Sequence, residues 1–173
     1  MALTKEISYK HGVSENGELQ TFEVLKVVKD GKVIEQTIGQ SYSPSDPKDM
    51  SGFDQTSVDI ADAVYAKTTT DALKAEQTTP KGTGLEEIVT HDRTIDDLGR
   101  ISVRRVTRIF DEGVEISKKY HRSWVMPGDD TSKADVMSKV VADKLHTQAV
   151  IDAYDVKMSE LSAVENPIVE EPK

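Results

Sequence analysis

Residues 99–130 read GRISVRRVTRIFDEGVEISKKYHRSWVMPGDD, and residues 17–46 read GELQTFEVLKVVKDGKVIEQTIGQSYSPSD. In both stretches fourteen positions separate the opening glycine from a second one, Gly17 from Gly31 and Gly99 from Gly113. At an offset of 82, Leu19 falls on Ile101, Val24 on Val106, Val27 on Ile109, Ile34 on Ile116 and Tyr42 on Trp124. A further match, IADAVYAKTTTDAL from Ile60 with VADKLHTQAVIDAY from Val141, runs at an offset of 81. Register kept through two apolar runs and the segment behind them marks an internal repeat of one supersecondary unit. The first copy also carries an insertion, PKDMSGFDQT, of the kind surface loops accept.

Asp30-Gly31 and Glu112-Gly113 each sit between two apolar runs. A two-residue primed turn needs positive φ, which glycine adopts without a Cβ clash, so both sites predict β-hairpins. The outgoing strands start at Leu19 and Ile101, and the returning ones run from Val33 to Tyr42 and from Glu115 to Trp124 or Val125. On a period of two, Ile34, Ile38 and Tyr42 share one face, as do Ile116, Tyr120 and Trp124, and that face is expected to be buried. In the second outgoing strand Ile101 and Val103 have one parity and Val106 and Phe110 the other, a pattern that fits a bulge near Arg104-Arg105 and equally fits exposure of both faces against partners. Residues 3–15 and 85–97 read as a short strand leading into each unit.

Beyond the second hairpin, Asp130, Thr131 or Ser132 is placed to cap a helix reaching about His146, and a second helix spans about Gln148 to Leu161. In the first copy a helix from Val58 to about Lys67 is expected to break at Thr68-Thr69-Thr70, whose hydroxyls compete for backbone partners, and to resume to about Gln77. The predicted fold is α+β: tandem duplicated ββα-type units with pseudo-two-fold symmetry, their β-hairpins packed with helices. The first unit spans 1–77, a linker 78–84, the second unit 85–161, and an acidic, proline-containing tail, expected to be flexible, 162–173.

A net charge of −9 argues against general nucleic-acid binding, which requires many cations on phosphates. Without cysteine there is no disulfide framework and no thiolate metal site. His11, His91, His121 and His146 lack ligand spacing, and KGTG at Lys81 lacks the order of a phosphate loop. Acidic pairs such as Asp96-Asp97 and Asp129-Asp130 read as turn residues, since no convergent second group accompanies them. No catalytic residue, cofactor site or metal site is predicted. The first residues carry no signal-peptide pattern, and no run approaches the roughly eighteen apolar residues of a membrane span.

One surface stands out by charge. Arg100, Arg104, Arg105, Arg108, Lys118, Lys119, His121 and Arg122 crowd the second hairpin around Tyr120 and Trp124, whereas the first has Glu18, Glu23, Lys26, Glu35 and Gln40. Basic strands with aromatics suit single-stranded nucleic acid by phosphate contact and stacking. They equally suit an acidic protein face, and the overall charge favours that docking role.

The second unit, VRRVTRIFDEGVEISKKYHRSWVMPGDD followed by ADKLHTQAVIDAY, resembles small uncharacterised proteins encoded in tailed-bacteriophage genomes. There a D/E-G hairpin, a YHR-like strand, a PGDD turn and a VIDAY-like helix end recur. The resemblance covers residues 99–154, and the first copy lacks both YHR and PGDD. It implies a phage setting and a virion role, with synthesis in the host cytoplasm, and it carries over no catalytic residues. The expected function is a non-enzymatic structural or assembly protein of capsid, neck or tail. Its expected partners are other virion proteins or copies of itself in an oligomer or larger assembly, with neither nucleic acid nor membrane. Two alternatives are an acidic inhibitor that imitates nucleic acid and a single-stranded nucleic-acid module using the second hairpin.

Overall fold

The two glycine turns close the hairpins as the sequence predicts. Asp30 and Gly31 have φ of 51° and 76°, and Glu112 and Gly113 have 49° and 81°, the positive pair of a type I′ turn. The computed structural model describes residues 3–50, 52–76 and 79–165. Strands β1 (Leu3–Val13), β2 (Leu19–Lys29) and β3 (Lys32–Tyr42) precede helices α1 (Gln55–Tyr65) and α2 (Lys67–Glu76). Strands β4 (Leu85–Ile95), β5 (Ile101–Asp111) and β6 (Val114–Val125) then precede α3 (Val136–Leu145) and α4 (Gln148–Glu165). The lead-in segments are thus full strands, and each half runs three strands then two helices. Residues 162–165 continue α4, and the remainder of the predicted tail, like Gln77 and Thr78, lies outside the described residues.

All six strands form one antiparallel sheet in the order β3-β2-β1-β4-β5-β6. Within each three-stranded meander the ladders are long, but β1 and β4 meet at only His11–Ile95, Gly12–Thr94 and Val13–Arg93. The sheet is therefore two meanders joined near the β1–β2 and β4–β5 turns, with the far ends of the hairpins projecting as arms. Both turns are built alike. Ser14 Oγ accepts from Asn16 and Glu18 N–H, and Asp96 Oδ1 accepts from Leu98 and Arg100 N–H.

Odd-numbered residues near the seam face the helices. Val13, Leu19, Ile95, Ile101, Val103 and Val125 pack with Ile60, Ala61 and Val64 of α1 and with Met137, Val141, Ala142 and Leu145 of α3 in one cluster. Both helices start from an aspartate N-cap: Asp54 accepts from Ser57 N–H and Asp135 from Ser138 N–H. The cap of α3 is therefore Asp135. The predicted Asp130 instead holds a turn through Ser132, and Thr131 and Ser132 also lie short of the helix. The threonine triplet lies inside α2, not between helices, and the break falls at Ala66, with φ −56° and ψ 135°. Burial of Leu73 favours helix here despite the low helix propensity of the threonines and the cost of the Thr69 hydroxyl, which is buried without a partner.

Two polar side chains are buried beneath these caps. His11 Nδ1 lies 3.0 Å from Thr21 Oγ1 and its Nε2 3.4 Å from Ser57 Oγ. Arg93 is gripped by Asp135, and its Nε also donates to Ser138 Oγ at 3.2 Å. Burial pushes the Asp135 carboxyl up, but the Arg93 guanidinium and the Ser138 hydrogen bonds outweigh it and hold the group below its ordinary range.

Three further expectations are corrected. The apolar faces of β3 and β6 are not buried: Ile34, Ile38, Ile116, Tyr120 and Trp124 are each more than half exposed, because the helices cover only the seam. No bulge occurs at Arg104-Arg105. The β5–β6 register shifts between Ile109 and Phe110, and the parity change in β5 reflects which face is covered along a regular strand. Finally, a register shift between Phe22 and Val24 sets Tyr42 opposite Thr21 on the helix side, whereas Trp124 pairs Ser102 on the other face. The positional counterpart of Tyr42 is Ser123, which pairs Val103.

Gly17 has φ +79°, and a Cβ there would stand 2.5 Å from Leu73 Cδ2. Gly17→Ala is expected to cost about 2–4 kcal/mol, combining left-handed backbone strain with displacement of a buried leucine. Gly31→Ala, whose Cβ would meet nothing within 4 Å, should cost only about 1–2 kcal/mol. Urea unfolding of the two variants checks the difference. Burial lowers the His11 pKa from 6.5 to about 4, against a smaller opposing pull from Asp54. As pH falls, the unfolded chain binds the His11 proton first. Stability should thus decline from about pH 6.5 and level off near pH 4, with about 2 kcal/mol lost between pH 7 and pH 5. Urea midpoints at the two pH values should show that loss in the native protein and little of it in His11→Gln.

Candidate interaction surface

The arms end in the edge strands of the sheet, β3 and β6, each with one unpaired row of backbone groups. Nearly every residue of β3 is exposed, and so is most of β6. Directly paired residues of an antiparallel ladder share a face, so the register sorts the predicted residues. Arg104 lies between Asp92 and Arg122, Val106 between Thr90 and Tyr120, and Arg108 between Ile88 and Lys118, all on the face away from the helices. Trp124 belongs to this outer face as well, paired with Ser102. Arg105 instead lies between His91 and His121 on the helix face.

The outer face of β5 and β6 is a network. Arg100 stands 5.7 Å from the Trp124 ring centre, and Arg104 and Lys118 each stand 5.6 Å from that of Tyr120. Cations at such distances attract the ring faces, while both rings remain more than half exposed. Much of the positive charge is already answered within the chain. Arg100 Nε donates to Asp96 at 2.7 Å, Arg104 Nε donates to Asp92 at 3.0 Å, and Arg108 reaches Thr90, Glu15 and Glu115. A hydrogen bond from Thr90, then the guanidinium of Arg108, hold the Glu15 carboxyl below its ordinary range against the upward push of burial. Arg105, Lys119 and Arg122 make no ion pair among the described residues.

Some ion pairs cross between the halves. Arg108 of β5 binds Glu15 in the β1–β2 turn, and Lys26 of β2 binds Asp97 in the β4–β5 turn. Each turn therefore lies over the outer face of the other meander, where Val24, Val28, Ile88 and Val106 are buried apart from the main cluster. The acidic partners, Glu15, Asp92 and Asp97, escape a reading confined to the second hairpin, since two come from turns and one from a strand outside it. The signal in the sequence is spacing: Glu15 and Asp97, like Lys26 and Arg108, stand 82 positions apart.

Among the described residues no group of three or more His, Asp or Glu side chains is arranged to hold a metal, and no helix is long and apolar enough to cross a membrane. Comparison with family models, with curated proteins and with solved structures finds no match to this chain.

Replacement of Arg108, largely buried and held by three partners, should destabilise the fold more than replacement of Arg104, whose ion pair is solvent-facing. Expected losses are about 1–3 kcal/mol for Arg108→Ala and under about 1 kcal/mol for Arg104→Ala. Equilibrium unfolding in low salt gives both values.

Proposed function

We propose that the protein is a non-enzymatic assembly component that works by protein–protein contact through its two β arms. On the resemblance of residues 99–154, its setting is a tailed-bacteriophage particle, with other virion proteins or further copies of the chain as partners. The observation that carries the reading is the pair of long edge strands with large apolar side chains in solvent: Ile34 and Ile38 on β3, and Ile116, Tyr120 and Trp124 on β6. Such an edge pairs readily with another chain, and exposed apolar groups beside it supply the burial that holds the contact.

The same reading takes the two halves as duplicated copies related by a pseudo-two-fold axis at Gly12–Thr94. Support comes from position. The reciprocal ion pairs, the Ser14 and Asp96 turns, and the buried His11–Ser57 and Arg93–Ser138 pairs all recur at offsets of 81 or 82. A basic hairpin reserved for nucleic acid is less well supported, because Arg100, Arg104 and Arg108 are engaged by carboxylates. An acidic nucleic-acid mimic fares no better. Asp46, Asp49, Asp54, Asp96, Asp129, Asp130 and Asp135 are spread over turns and caps, where they accept backbone N–H bonds.

Light scattering during size-exclusion chromatography, over a concentration series, tests the proposal. A defined species well above 19.1 kDa is expected. Ile38→Lys and Trp124→Ser should return it toward monomer, while each changes unfolding stability by less than about 1 kcal/mol, as at other exposed sites. A monomer at every concentration that also fails to bind purified particle proteins would sink the idea.

A further inference from the structure

The helix-side surface differs sharply between the two meanders at one matched place. In the first, Tyr9 pairs Glu23 across β1 and β2, Tyr42 pairs Thr21, and Phe53 immediately precedes the α1 cap. These rings close on one another: Phe53 lies 5.1 Å from Tyr9 and 4.8 Å from Tyr42, the latter edge-on at 87°. In the second, His91 pairs Arg105 across β4 and β5, Ser123 pairs Val103, and Ala134 immediately precedes the α3 cap. Two rings are thereby replaced by a methyl and a hydroxymethyl, and Glu23 by arginine.

A groove of about 570 Å³ occupies that place, with Val89, Val103 and Val125 among its lining residues. Arg105 stands between His91 and His121 in one row across three strands, and Lys133 also lines the groove. Cross-strand neighbours have Cβ atoms about 4.5–5.5 Å apart, so the row can converge on a single anion. The Asp135 carboxylate at the same groove is bound by Arg93 and Ser138. Arg105 and Lys133, neither in an ion pair among the described residues, border this unfilled space, and an anionic ligand would balance their charge.

We propose that this groove binds an aromatic phosphomonoester. The ring takes the place that Phe53 and Tyr42 fill in the first meander, against the valines and Ala134. The phosphate accepts hydrogen bonds from Arg105, with Lys133 and the two imidazoles around it. The site is distinct from the β3 and β6 arms and does not depend on their role.

The test is titration of the full chain with phenyl phosphate, read by NMR at the His91 and His121 imidazole C–H groups, with inorganic phosphate as comparator. The expected result is a saturable shift at both histidines, with inorganic phosphate at least tenfold weaker. Arg105→Gln should weaken phenyl phosphate tenfold or more. Ala134→Phe, which restores a ring, should abolish saturation, and Ser123→Tyr, at an exposed position, should do the same with unfolding stability little changed. Absence of saturation, equal affinity for the two probes, or binding that survives Ser123→Tyr would each overturn the assignment.

Discussion

Three residue pairs between β1 and β4 hold the sheet together, and most of the remaining architecture compensates for how few they are. A junction this short is weak as a ladder. It holds because α1 and α3 pack over it as one apolar cluster drawn from both halves, and because each turn reaches across to an ion pair on the other meander. Buried His11 and Arg93 sit at that junction and join the sheet to Ser57 and Ser138 at the helix starts. The polar groups there are costly to bury and satisfied only in this register, so they favour one arrangement of sheet against helices.

Concentration of the core at the junction explains the arms. Helices of ten or eleven residues, such as α1 and α3, cover about 15 Å of sheet, whereas an eleven-residue strand spans about 36 Å. The outer half of each hairpin therefore extends past its cover. Alternating apolar residues persist along β3 and β6 regardless, which is why surface chemistry at the arms resembles that of an unfinished interior.

The sequence could be read wherever the chemistry is local. Positive φ at Asp-Gly and Glu-Gly, the strand limits they set, and the interruption between α3 and α4 follow from neighbours in the chain. Burial of Ile34, Ile38 and Tyr120 did not follow, since alternation identifies a face but not whether anything lies upon it. Thr68 to Thr70 misled for the related reason that a body beneath α2 overrides residue preference. At the candidate surface, the cations of the second hairpin were evident from composition, but their partners Asp92 and Glu15 come from β4 and from the other half. The aromatic cluster of Tyr9, Tyr42 and Phe53 was likewise hidden, because a one-residue register shift in β3 moves Tyr42 to the opposite face from Trp124.

The β1–β4 junction also bears on the order in which the chain can fold. Its partners lie 80 to 84 positions apart, so during synthesis β1 remains an open edge until β4 has emerged. Contacts of such separation require a long loop to close before they contribute, which slows barrier crossing relative to the local hairpins. The hairpins, with their tight turns, can form early on either side. The junction is then expected to close after the hairpins, and a nascent first half leaves open the His11–Val13 edge that its second half later pairs.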